Sequence, residues 1–267
     1  MENNKVVVRL ISGIGNNFYQ IATLYHLSKI KNKEWYAIYP KHNGTIQEIR
    51  PNGGHYTPKI DEIDYYIENN FPHINWKENC DINDTVISSY IFDINMFWDS
   101  IEDIRKILQP SNRLIEYIQK KYSELLNKPT LGIHLRFKSG SDSFNSEDNI
   151  YEWILDILQK ENTNYENIII VSNGMYQTSL FIQKFKEHIN KNITVIDNEP
   201  NYVDLMILSM CNIIVCSNST FSFWSAALSD CVSRVYISPE YKPANCRNSI
   251  PPGWLTNSET FYKYYKK

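Results

Sequence analysis

Apolar positions follow two rhythms along this chain: short β-branched runs, and longer stretches in which they return at every third or fourth residue. The first rhythm marks buried strands and the second amphipathic helices. From Lys128 onward the two alternate. Runs at residues 130–136, 167–172, 192–196, 213–217 and 234–237 are separated by helical patterns at 149–160, 177–189, 202–211 and 221–228. Such alternation is the pattern of a parallel sheet with crossover helices, and five strands with four helices make a Rossmann-like half.

The first half opens in the same way, with a strand at 5–11, a glycine-containing turn from Gly13 to Gly15 and an amphipathic helix over about 17–30. Further strands are predicted at 35–39 and 85–92, and helices at 97–108 and 113–126. Residues 43–62, rich in Gly, Pro, Asn and Lys, read as a long loop or lid. A chain of 267 residues lies between one large domain and two small ones, and Asn127-Lys128-Pro129 is the expected boundary between lobes 1–127 and 128–267.

Composition narrows the function classes. With 42% hydrophobic and 13% aromatic residues the chain can bury a sizeable core, and no apolar run is long enough to span a bilayer. The opening Met-Glu-Asn-Asn-Lys leads into a strand with no signal-like apolar stretch, so a cytoplasmic protein is expected, any membrane association being peripheral. Five cysteines (Cys80, Cys211, Cys216, Cys231, Cys246), odd in number and without C-x-x-C spacing, argue against a disulfide framework and a zinc site. A net charge of −3 from 27 basic and 30 acidic residues offers no electrostatic footprint for nucleic acid.

Three segments carry the candidate chemistry. In the first, a strand runs through Ser12-Gly13-Ile14-Gly15-Asn16-Asn17 into a helix, where backbone N–H groups can approach a phosphate or sugar; a plain tight turn is the competing reading. In the second, Gly132-Ile133-His134-Leu135-Arg136, strand alternation puts His134 and Arg136 on one face at a carboxyl strand end. An arginine there suits a diphosphate, because its guanidinium forms bidentate charge-assisted hydrogen bonds and never titrates; a surface ion pair is the alternative. The third, Cys216-Ser217-Asn218-Ser219-Thr220-Phe221, runs from a strand through hydroxyl residues into a helix, making an N-cap or an anion site. Asp204, at the start of the preceding helical pattern, either caps that helix or accepts hydrogen bonds from a purine.

Together these segments resemble the alpha-1,2-fucosyltransferase family and its alpha-1,6- and protein O-fucosyltransferase relatives. The resemblance rests on Ser12 to Ala22 against the family's Gly-x-x-Gly-Asn-Gln pattern, on His134 and Arg136 against His-x-Arg-Arg, and on Ser217-Asn218-Ser219-Thr220-Phe221-Ser222-Phe223-Trp224-Ser225-Ala226 against Ser-Asn-Ser-x-Phe-Ser-x-Trp-x-Ala. Asp204 and Ser209-Met210-Cys211 fit as well. Two departures stand out: Phe137 stands where the family has a second arginine, with Lys138 next to it as the candidate replacement cation, and Val171-Ser172-Asn173-Gly174 lacks an acidic pair.

The resemblance implies a two-lobed GT-B fold with a cleft between Rossmann-like lobes, a GDP-L-fucose donor, a glycan acceptor of galactoside type, inversion, and no obligatory metal or other cofactor. It implies that Arg136 meets the leaving phosphate and that His134 contacts the nucleotide or orders Arg136. Ser172, Ser217, Asn218, Ser219, Thr220 and Phe221 would hold the donor, Asp204 would accept from guanine, and Gly13, Gly15 and Asn16 would approach from the other lobe. The alternatives are a transferase of the same fold using another GDP- or UDP-sugar, and an inactive nucleotide- or carbohydrate-binding module.

Overall fold

The computed structural model describes residues 5–10, 13–38, 67–77, 84–87, 94–137, 147–197, 199–238 and 251–255. In chain order the elements are β1 (Val6–Arg9), α1 (Ile14–Lys31), β2 (Trp35–Ile38), α2 (Ile67–Asn70), β3 (Trp76–Lys77), β4 (Thr85–Ile87), α3 (Ile94–Phe97), a 3-10 turn (Trp98–Ser100), α4 (Ile101–Ile107) and α5 (Asn112–Leu126). There follow β5 (Thr130–Leu135), α6 (Glu147–Lys160), β6 (Asn167–Ser172), α7 (Met175–Lys186), β7 (Asn192–Ile196), α8 (Asn201–Ser209), β8 (Ile213–Cys216), α9 (Thr220–Ala227) and β9 (Arg234–Ile237). The expected loop or lid at 43–62 lies outside the described residues.

The chain divides into two compact units, the second beginning at Lys121, within α5 and ahead of the Asn127-Lys128-Pro129 segment. In the first unit β1, β2, β3 and β4 form a parallel sheet of order β3-β2-β1-β4. Helix α1 begins at Ile14, earlier than expected, because Gly13 is the extended residue at its N-cap (φ −74°, ψ 165°). Gly15 and Asn16 therefore belong to the helix's first turn and not to the preceding turn. Asn32 closes the helix in the left-handed conformation (φ 49°), which asparagine tolerates, and Lys33 N–H returns to the Ser28 carbonyl at 2.9 Å. The single helix expected over 97–108 is interrupted by the 3-10 turn, and α2 and β3 are too short to show a period.

The second unit is a five-stranded parallel sheet of order β7-β6-β5-β8-β9. Its strands agree with the expected ones, except that the ladders end one residue early, at Leu135 and Cys216. Pleating sorts the faces. Leu131, Ile133, Leu135, Ile168, Ile170, Ile213 and Val215 join Tyr151, Trp153, Phe181 and Phe185 of α6 and α7 in one buried cluster. The alternate residues of β5 face α8, where a Cβ on Gly132 would meet Cys211 Sγ at 2.8 Å and Leu208 Cδ2 at 3.0 Å. Glycine is what lets the end of α8 lie this close to the central strand.

At the far end of α6, buried Glu161 accepts hydrogen bonds from Tyr236 Oη at 2.5 Å, Asn164 Nδ2 at 2.8 Å and the Arg234 guanidinium. Burial opposes its ionisation, but these donors prevail and hold its pKa below the ordinary value, so the carboxylate pins β9 to α6. Cys211 and Cys216 are buried free thiols whose pKa burial pushes up, so they stay protonated, while Cys231 is exposed. Cys80 and Cys246 lie outside the described residues. Among the described residues no helix is long and apolar enough to cross a membrane.

Gly132→Ala should destabilise the chain by about 1–3 kcal/mol through overpacking against Cys211 and Leu208, measured by denaturant unfolding of the full chain.

Candidate active site

In the order β7-β6-β5-β8-β9 the chain first builds outward from β5 through β6 to β7, then returns to add β8 on β5's other side. The β5/β8 pair is thus the point at which the winding direction reverses. Crossovers leave such a pair toward opposite faces, opening a crevice outside their carboxyl ends. β5 delivers His134 and Arg136 to that end, and β8 delivers Ser217, Asn218 and Ser219.

Arg136 directly follows the last ladder residue of β5 and is exposed. It donates from a terminal guanidinium nitrogen to Ser219 Oγ at 3.2 Å, and among the described residues it has no carboxylate partner. Ser219 is the N-cap of α9, with extended backbone (φ −150°, ψ 135°) and an Oγ that accepts from Phe221 N–H at 3.3 Å. The guanidinium and the positive end of α9 therefore share one hydroxyl oxygen. Ser222 Oγ donates to the carbonyls of Ser217 and Ser219, both at 3.2 Å, which keeps this turn folded under the helix start.

His134, one pleat before Arg136 on the same face, is buried; its Nδ1 shares a 2.7 Å hydrogen bond with Ser217 Oγ and its ring stacks on Phe221 at 4.9 Å. Burial, and secondarily the charge of Arg136, lower its pKa from 6.5 to about 3. The imidazole is accordingly a neutral spacer between β5 and β8. Asn218 and Thr220 are half-buried around the capping serine.

The remaining expected residues lie elsewhere in the fold. Ser172, at the end of β6, is turned to α7: its Oγ accepts from Gly174 N–H at 3.1 Å and pairs with Thr178 Oγ1 at 2.7 Å. Asp204 is half-buried in the first turn of α8, whose N-cap is Pro200, so it is not the cap of that helix. Gly13, Gly15 and Asn16 open α1 in the first unit, where Gly13 is exposed and a Cβ on it would meet nothing within 4 Å. Phe137 turns to the opposite face from Arg136, its ring meeting Phe181 edge to face at 5.5 Å; Lys138 lies outside the described residues.

One contact leaves almost no trace in the sequence. The Asn173 carboxamide accepts from Phe137 N–H and donates to Phe137 C=O, both at 2.7 Å, joining the ends of β5 and β6. An asparagine and a glycine directly after a strand are the only signal for it. Among the described residues no group of three or more His, Cys, Asp or Glu side chains could hold a metal ion.

No protein-family model matches the chain, and no curated protein matches its sequence. Its fold does match solved structures. POFUT1 in complex with GDP superposes with a TM-score of 0.56 at 14% identity, covering 89% of this chain and 98% of that one. The alpha-1,6-fucosyltransferase NodZ soaked with GDP-fucose, a protein also solved from Bradyrhizobium, gives 0.57 at 12% identity, covering 90% and 97%. A variant of Arabidopsis thaliana FUT1 in complex with GDP gives 0.54 at 14% identity, covering 94% and 72%. The chain thus has a GT-B-like α/β fold with two Rossmann-like parallel-sheet units.

Because the unfolded chain protonates His134 near pH 6.5 and the folded chain resists until about 3, acidification through that window favours unfolding. His134→Asn should lessen the stability lost between about pH 7 and pH 5 by up to about 2 kcal/mol relative to wild type, measured by denaturant unfolding at each pH.

Proposed function

We propose that the chain is a glycosyltransferase that moves L-fucose from GDP-L-fucose to a carbohydrate hydroxyl, forming an α1,2 linkage on a galactoside with inversion and without an obligatory metal. The observation that carries this reading is the Arg136 to Ser219 hydrogen bond at the β5/β8 reversal point, where a permanent cation and a helix N-terminus meet. Both features favour a diphosphate. Solved structures of the same fold hold GDP or GDP-fucose, which supports that donor. The α1,2 linkage, the galactoside, inversion and metal independence rest on the motif resemblance.

On this reading residues 128–267 bind the nucleotide and residues 1–127 shape the acceptor side. The bond between the fucose anomeric carbon and the β-phosphate oxygen breaks, its electron pair leaving with the phosphate, while the acceptor oxygen bonds to that carbon. Negative charge grows on the departing oxygen, and Arg136 donates to it, aided by Ser219, Thr220 and the N–H groups that open α9. A positioned donor of this kind lowers the barrier by about 3–4 kcal/mol. Neutral His134, held by Ser217 and Phe221, keeps the Arg136 strand and the α9 cap in register. Asp204 accepts from guanine, and Asn218 completes the donor pocket, while the Ser172 hydroxyl stays engaged with Gly174 and Thr178. No residue is assigned to take the acceptor's proton.

Arg136→Ala should lower transfer from GDP-fucose to a galactoside by about a hundredfold or more, with an unchanged circular dichroism spectrum. Wild-type turnover in that variant would remove Arg136 from the reaction. GDP should raise the melting temperature and UDP should not. Asp204→Ala should weaken GDP binding in calorimetry, and an unaltered dissociation constant would exclude a guanine contact.

A further inference from the structure

The backbone ladder between β5 and β6 ends at the pair Leu135 and Ser172. Arg136 lies just beyond it, where an exposed residue at a strand end is ordinarily free to swing. Here the next residue is fastened. Both backbone groups of Phe137 are used by one side chain, the Asn173 carboxamide, through the two 2.7 Å bonds. Asn173 thus prolongs the ladder past its last backbone pair, and Arg136 stands between two fixed points.

The anchor is itself fixed. Asn173 is followed by Gly174, where a Cβ would fall 2.9 Å from Phe137 Cδ2 and 2.8 Å from Gln177 Oε1, so the absence of a side chain permits this approach. Ser172 Oγ holds Gly174 N–H, and Thr178 Oγ1 lies 2.7 Å from both Ser172 Oγ and the Gly174 carbonyl. On the other side, Phe137 is packed against Phe181 of the same helix. A continuous set of contacts therefore runs from α7 through Asn173 to the residue that follows Arg136.

We infer that Asn173 is a positioning residue that holds Arg136 where its guanidinium can meet a donor's β-phosphate; this rests on the reading of Arg136 as the diphosphate contact. The requirement is specific to a carboxamide, which supplies one acceptor and one donor in a plane. Aspartate has the same shape but can only accept, so it keeps the bond from Phe137 N–H and sets an acceptor against Phe137 C=O.

GDP and GMP differ by the β-phosphate that Arg136 is assigned, and their dissociation constants, measured by calorimetry on the full chain, separate positioning from folding. Asn173→Ala should reduce the preference for GDP over GMP by about tenfold while leaving GMP affinity unchanged. In an Arg136→Ala background the same substitution should add nothing, since the two act through one contact. Should Asn173→Ala fail to fold, Asn173→Asp gives the same readout. Equal loss of GDP and GMP affinity, an unchanged preference, or additive effects of the two substitutions would overturn the inference. Failure of the underlying reading looks different: Arg136→Ala alone would leave the GDP preference as in wild type, so that there is no phosphate contact for Asn173 to position.

Discussion

A single hydrogen bond, from the Arg136 guanidinium to Ser219, ties the central strand of the second sheet to the helix that follows its neighbour. It lies where the strand order reverses, and that order follows from packing. Strands β5 to β7 bury one face against α6 and α7, while Gly132 lets α8 lie against the other face of β5. Chain connections therefore diverge above β5 and β8, and the open end between them is a product of topology, available to whatever residues the strand ends carry. In this chain those residues are a cation and a serine-rich helix start.

The serines divide their work. Ser219 caps α9, and Ser222 satisfies the two carbonyls of the turn beneath it. Ser225 bonds back to the Phe221 carbonyl and is buried. Ser217 ties the turn sideways to His134. A hydroxyl-rich segment of this kind is held in place by its own hydroxyls, which bond within the turn and the start of α9.

Much of the second unit was legible in the sequence because β5, β6 and β8 are buried on both faces and read as uninterrupted apolar runs. The placement of His134 and Arg136 on one face followed from alternation alone, and their meeting with Ser217 and Ser219 is what the motif order implied. What could not be read was long-range. Strand order is invisible in a local pattern, so the reversal at β5/β8 emerges only from the fold. Cap geometry shifted the start of α1 to Ile14, and Asp204, whose position suggested a cap, lies in the first turn of α8 behind the capping Pro200. The Asn173 bridge escaped because a side chain imitating backbone pairing leaves no periodic trace.

The neutrality of His134 has a consequence for how this strand end behaves as conditions change. Beside the Arg136 guanidinium sits a ring that stays uncharged down to about pH 3. The ring therefore adds no charge that varies across the physiological range, unlike an imidazole with its ordinary pKa, which loses its charge there. Acidity can still loosen the fold, but His134 itself keeps the same charge through the neutral range.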